Sequence, residues 1–239
     1  MHTEIVKYTA DGLTMDSHLY YDDAQKGPRP GILVFPEAFG LGEHAKSRAE
    51  RLASLGFVAL ACDLHGNGGM VSGLPAVMAI LGPMMADPSH TRARARGGYD
   101  ALIARPEVDR QKIAAIGYCF GGTMALELAR SGATIAGSAG FHSGLATARP
   151  QDAKDIKARV LVCIGADDPG IPPEQRAAFE AEMRVGGVDW QMHLYGGVVH
   201  SFTNPAADKV GLPEFARYDA KADARSWATL QSFLGEIFR

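Results

Sequence analysis

Read only for apolar and polar positions, the chain opens differently from how it continues. Residues 4–9 and 14–21 flank the turn signal Ala10-Asp11-Gly12, and the second segment partly alternates polar with apolar positions. That pattern predicts an antiparallel hairpin at a sheet edge. Beyond it, strand-length apolar runs recur with helical patterns between them, which argues for βαβ units and a mostly parallel sheet. Gly31-Ile-Leu-Val-Phe35 lies between Pro30 and Pro36, and Phe57-Val-Ala-Leu-Ala-Cys62 ends at Asp63. Further strands are expected at 113–116, 134–139, 160–164 and 190–195. Helices are expected at 43–55 (with Gly56 as C-terminal cap), 123–130, 174–185 and 221–238, and two more between 71 and 104. The total is about eight strands. Residues 66–89, rich in Gly, Met and Pro, read either as a lid or as an irregular crossover.

Length changes this picture little: 239 residues without an internal repeat or linker fit one domain, 1–239. Charge narrows the partners. A formal charge of −3, from 24 basic and 27 acidic residues, gives no nucleic-acid or polybasic membrane surface. The basic cluster Arg92, Arg94 and Arg96 reads as a solvated helix face. No apolar run reaches the ~20 residues of a membrane span. Three cysteines, Cys62, Cys119 and Cys163, show no zinc spacing and no disulfide framework. Neither a metal nor a cofactor is expected. A cytoplasmic protein, monomeric or a small homo-oligomer, is the expectation, with a small molecule as its partner.

In an open α/β sheet, ligands bind beyond the carboxyl ends of the strands, so residues just past strand ends carry functional weight. Ile113-Ala-Ala-Ile-Gly-Tyr-Cys-Phe-Gly-Gly122 runs from an apolar strand through Gly117, Cys119 and Gly121 into a helix. Gly-x-Cys-x-Gly has the spacing of a nucleophile elbow, whose sharp turn needs small neighbours. The following helix N-terminus favours thiolate over thiol, and the Phe120 N–H is set to donate to an oxyanion. Cys62 and Cys163, inside apolar strands, read as buried core thiols.

A nucleophile of this type needs a histidine and an acid, which follow it in the order acid, then histidine. Asp167 and Asp168 both stand in the loop after 160–165, and spacing does not choose between them. His200 follows Tyr195-Gly-Gly-Val-Val in a loop, whereas His193 lies within a strand; the loop position favours His200. His65 and His142 precede the acid and fall outside that order.

These segments resemble the dienelactone hydrolases (carboxymethylenebutenolidases), a branch of the α/β-hydrolase fold with a cysteine nucleophile. The resemblance runs from about Ile32 to the C-terminal helix. It rests on Pro36-Glu-Ala-Phe-Gly40, Asp63-Leu-His-Gly66, Gly117-Tyr-Cys-Phe-Gly-Gly122 and His200-Ser-Phe202. It implies an eight-stranded, mostly parallel sheet with helices on both faces, and hydrolysis of an ester or lactone by Cys119, His200 and an acid. The family's Gly-x-x-Asp pattern ahead of a proline maps onto Gly165, Asp168 and Pro172, which selects Asp168. The resemblance also implies that Glu37 helps deprotonate the thiol and that the Ala38 N–H is a second oxyanion donor. Tyr118, Phe39, Phe202 and Asn204 are the expected substrate contacts, with Phe141 and Met84 as further lining. One departure stands out. The family carries a basic residue for the substrate carboxylate shortly after His-Ser-Phe, and here Thr203-Asn204-Pro205 stands in its place, with Arg92, Arg94 or Arg96 as possible substitutes. A thiol-dependent redox or glyoxalase-like enzyme, or a non-catalytic binding protein, are the alternatives on the same scaffold.

Overall fold

The computed structural model describes residues 1–239, the side chain at position 210 excepted. One eight-stranded sheet runs through it in the order β1-β2-β4-β3-β5-β6-β7-β8. The hairpin is β1 (His2–Ala10) with β2 (Leu13–Tyr21), paired antiparallel from His2 opposite Tyr21 to Ala10 opposite Leu13. β2 also joins β4 (Val58–Ala61) antiparallel. From β4 onward the strands are parallel: β3 (Arg29–Phe35), β5 (Val108–Tyr118), β6 (Gly137–Phe141), β7 (Arg159–Gly165) and β8 (Trp190–Tyr195). This is the expected eight-stranded α/β-hydrolase sheet with its N-terminal antiparallel hairpin.

Side chains alternate across each strand, so each central strand feeds two cores. Leu33, Phe35, Leu60 and Ile113 pack on one face against α2 (Leu74–Ala86), α3 (Pro88–Ile103) and α4 (Phe120–Arg130). Ile32, Val34, Ile116 and Leu161 pack on the other against α1 (Glu43–Ala53) and α6 (Ala220–Ile237). Val160, Val162 and Ile164 receive Phe179 and Met183 of α5 (Pro173–Gly186). The segment 66–89 lies in the connection from β4 to β5, where α2 sinks Val77, Leu81 and Met84 into the first of these cores.

One strand is displaced from its expected position. β6 is Gly137–Phe141, not 134–139, because Gly137 sits in register with Ala114 of β5 and Arg159 of β7. The apolar residues Ala133 and Ile135 that suggested an earlier start are buried in the loop before it.

The connections place the site. After β3 the chain turns to one side to form β4, and after β4 it crosses back to form β5 on the other side of β3. The strand order thus reverses between β3 and β5, where an open α/β sheet leaves its ligand crevice. The residues just past these two strands are 36–40 and Cys119.

Candidate active site

Cys119 caps α4 with φ 54° and ψ −123°, a left-handed region costly to a residue with a Cβ. The turn is held on all sides. The Cys119 N–H donates to the Phe141 carbonyl at 3.0 Å, and the Gly122 N–H donates to the Cys119 carbonyl at 3.1 Å. A Cβ at Gly117 would overlap the Gly121 carbonyl, and one at Gly121 would overlap the carbonyls of Phe35 and Pro36. Only glycine permits this approach of strand, helix and neighbouring loop. Phe120, first residue of α4, carries one of the N–H groups that a helix leaves without an internal partner.

The loop after β7 carries the two aspartates, and their surroundings separate them. Asp167 is exposed, whereas Asp168 is 2% exposed and its Oδ1 accepts the Gly170 N–H at 2.8 Å. Asp168 Oδ2 lies 2.7 Å from His200 Nδ1. A carboxylate can only accept, so Nδ1 carries the proton and Nε2 is left for other work. His200 is held through its backbone, donating its N–H to Phe215 at 3.0 Å and accepting from Arg217 at 3.1 Å. His193 sits on β8, the far edge strand.

Burial works against a charged His200, but the negative charge of Cys119 and the bonds to Asp168 and Cys119 outweigh it, and the pKa rises to about 10. Two other histidines share the neighbourhood. His142 is fully buried, edge-to-face with His200 at 5.1 Å, and its Nε2 lies 2.8 Å from Thr203 Oγ1. Burial, then the nearby charge of His200, push it well below the ordinary range. His44 Nε2 donates to the Thr203 carbonyl at 3.1 Å, and burial with the adjacent Arg48 lowers its pKa to about 3. Arg48 closes the chain, donating to the Thr203 carbonyl at 2.6 Å and to Asp223 at 2.8 Å.

Glu37 lies just past β3, its carboxylate held by Asn204 Nδ2 at 2.6 Å and Ser201 Oγ at 3.4 Å. Burial raises its pKa, against the pull of Asn204 and of the His200 charge. Asn204 Oδ1 also accepts the Ala206 N–H at 2.9 Å, so both ends of this amide are engaged within the protein. Asn204 therefore braces Glu37 instead of standing free for a ligand. Tyr118 and Phe202, at 1% and 0% exposure, also depart from the expected substrate contacts. Tyr118 is stacked on Phe141 at 5.0 Å, and Phe202 packs edge-to-face on His142. Phe141 and Met84 are likewise core. Phe39, 40% exposed beside Ala38, is the expected contact with surface to offer, and Phe215 adds a second exposed ring, 5.5 Å from that of His200.

The three arginines proposed as substitute clamps are occupied. Arg92 bonds Glu127 and Asp152, Arg94 bonds Asp11 and the Leu64 carbonyl, and Arg96 bonds Asp100 on its own helix. Among the described residues, no group of three or more His, Cys, Asp or Glu side chains is arranged to hold a metal, and no helix is long and apolar enough to cross a membrane.

A strand-to-helix elbow carrying Cys119, with a buried His–Asp pair on the loops beyond β7 and β8, is the layout of an α/β-hydrolase acting on carboxylic esters. The chain belongs to the dienelactone hydrolase family, whose model matches residues 15–238. It is 33% identical over 191 residues to a Methylorubrum extorquens protein provisionally named carboxymethylenebutenolidase, covering 75% of this chain and 65% of that protein. Among solved structures it resembles a dienelactone hydrolase-like promiscuous phosphotriesterase from metagenomic libraries, with TM-score 0.94 and 44% identity over 99% of this chain and 98% of that one. A protein called m3DLH superposes with TM-score 0.95 and 45% identity, over 99% and 98% of the two chains. The ester-hydrolase reading thus prevails over the redox and binding alternatives.

Proposed function

We propose that the protein hydrolyses uncharged carboxylic esters or lactones through a thiol ester on Cys119, with His200 as acid and base and Asp168 orienting it. The observation that carries this reading is the elbow: Cys119 is held at a positive φ on the N-terminus of α4, at the sheet's switch point. The thiolate attacks the carbonyl carbon, forming the S–C bond, while the Phe120 and Ala38 N–H groups hold the oxyanion. The C–O bond breaks and the leaving alkoxide takes the proton from His200 Nε2. A water, deprotonated by the now neutral His200, then attacks the thiol ester; the S–C bond breaks and the acid leaves. Glu37 assists ionisation of the thiol, and Phe39 borders the substrate. Three cysteines free of disulfides suit a cytoplasmic enzyme.

What supports an uncharged substrate is that the expected clamps have partners within the protein: Asn204 on Glu37, and the three arginines in ion pairs of their own. Turnover of p-nitrophenyl acetate should vanish in Cys119→Ser, with iodoacetamide labelling Cys119 in the wild type. The p-nitrophenyl half-ester of succinic acid, which keeps a carboxylate, should be the poorer substrate. Retained turnover in Cys119→Ser would remove the nucleophile, and a preferred half-ester would remove the uncharged-substrate reading. A second reading is favoured by the 44% identity to a promiscuous phosphotriesterase: the same thiolate attacks phosphorus in a neutral triester. Release of p-nitrophenol from diethyl p-nitrophenyl phosphate tests it in the same assay.

A further inference from the structure

His65 takes no part in the chemistry above, yet its ring reaches the oxyanion loop. The segment after β4 is folded tightly on Asp63, which is 2% exposed. Its Oδ1 accepts the N–H groups of His65 and Gly66, at 3.0 and 3.1 Å, and its Oδ2 accepts those of Gly68 and Asp16, at 2.7 and 3.0 Å. From this base His65 Nε2 lies 2.9 Å from the Ala38 carbonyl oxygen. A carbonyl only accepts, so Nε2 carries the hydrogen. Nδ1 is buried without a partner, which leaves the ring one bond and one purpose.

That bond falls at a sensitive place. The peptide plane before the Ala38 Cα holds the Ala38 N–H together with the Glu37 carbonyl, and the Gly40 N–H fixes it by donating to that carbonyl at 3.1 Å. The plane after the Cα holds the Ala38 carbonyl, and His65 fixes that one. Further along, the Val71 N–H donates to the Phe39 carbonyl at 2.9 Å, and Gly40 forms an antiparallel bridge with Met70. These other ties are backbone to backbone and would survive a substitution at position 65.

We propose that His65 is a positioning residue of the oxyanion site, holding the Ala38 peptide so that its N–H stays aimed at the developing negative charge. This rests on the reading of Cys119 as nucleophile and Ala38 as oxyanion donor. Deleting an oxyanion donor outright costs about 10²–10³ in kcat, so a donor left in place but unbraced costs about tenfold.

The experiment compares wild type, His65→Phe, His65→Gln and Cys119→Ser on p-nitrophenyl acetate, and measures the rate at which iodoacetamide alkylates Cys119. Alkylation by iodoacetamide forms no oxyanion, so it reports thiolate and fold without the oxyanion site. His65→Phe should lose about tenfold in kcat with KM within about twofold, and alkylate at the wild-type rate. His65→Gln, whose side-chain N–H reaches the same carbonyl, should recover to within about threefold of wild type. Wild-type kcat in His65→Phe overturns the proposal, as does a parallel fall in turnover and alkylation in both variants. Retained turnover in Cys119→Ser overturns the nucleophile reading and this proposal with it, an outcome distinct from a failure of His65 alone.

Discussion

Replacing Cys119 by serine should lower the pKa of His200, and the size of the fall follows from what surrounds the ring. Burial disfavours the imidazolium, yet the pKa stands at about 10, because the negative Cys119 and the carboxylate of Asp168 at 2.7 Å overcome it. A serine hydroxyl keeps roughly the shape of the thiol but carries no charge. The Coulombic attraction and the charge-assisted bond from position 119 are then lost, while Asp168 remains. An opposite charge within ~4–6 Å shifts a pKa by about 1–3 units, equivalent to about 1.4–4 kcal/mol. His200 in Cys119→Ser should therefore titrate at about 7–9.

Imidazole Cε1–H resonances followed by NMR from pH 5 to 11 give the measurement, with His200→Gln in the same background assigning the signal. The direction also sets a stability window. A pKa raised above the unfolded value contributes stability that is fully present below about 6.5 and is lost as pH rises through about 10. In the serine variant that loss should be complete about 1–3 pH units earlier. An unchanged or raised His200 pKa in Cys119→Ser would refute the ion pair. The consequence for catalysis is direct, since acylation removes the thiolate just as the substitution does. On the mechanism proposed above, His200 acts as an acid while the thiolate faces it and as a base once the thiol ester has formed.

Two further outcomes follow from buried contacts. Asp168→Asn keeps the hydrogen-bonding shape but lets the His200 tautomer reverse, and should lower kcat by about 10³-fold or more in a p-nitrophenyl acetate assay, deacylation suffering most. Glu182→Ala should cost about 3–5 kcal/mol in urea unfolding, because it leaves the fully enclosed Arg130 guanidinium without its two-pronged partner at 2.8 Å, with Glu127 and the Leu145 carbonyl remaining.

The sheet was legible wherever a strand is a plain apolar run, as in β3, β4 and β7. It was misplaced at β6, where Gly137-Ser-Ala-Gly-Phe141 carries little apolar signal. The reason lies across the sheet: a Cβ at Gly137 would meet the Phe233 ring at 2.8 Å, so the strand stays bare to let α6 approach. In the site, Cys119 and His200 each stand in a short segment just past a strand and were proposed from local pattern, whereas Glu37 and the choice of Asp168 over Asp167 came only from the family resemblance. Choosing Asp168 over Asp167 from residues alone requires burial, which the chain does not display locally. Tyr118 and Phe202 misled because adjacency in sequence to Cys119 and His200 does not set which way a side chain points; both point into the core.

The part of the site that sequence hid is the part made by distant segments. His142 and Thr203 are 61 residues apart, His44 and Thr203 159, and Arg48 and Asp223 175. No motif joins them, and chain order had set His142 aside. Their arrangement nonetheless decides where the positive charge stands. A protonated His142, 5.1 Å from His200, would repel a proton on the His200 ring. Burial keeps His142 neutral, and burial with Arg48 does the same for His44. Of the three clustered imidazoles, only His200 has a carboxylate at hydrogen-bonding distance and Cys119 beside it, so the charge settles there. The charge on His200 is thus defined as much by the two histidines held neutral as by the carboxylate at its side.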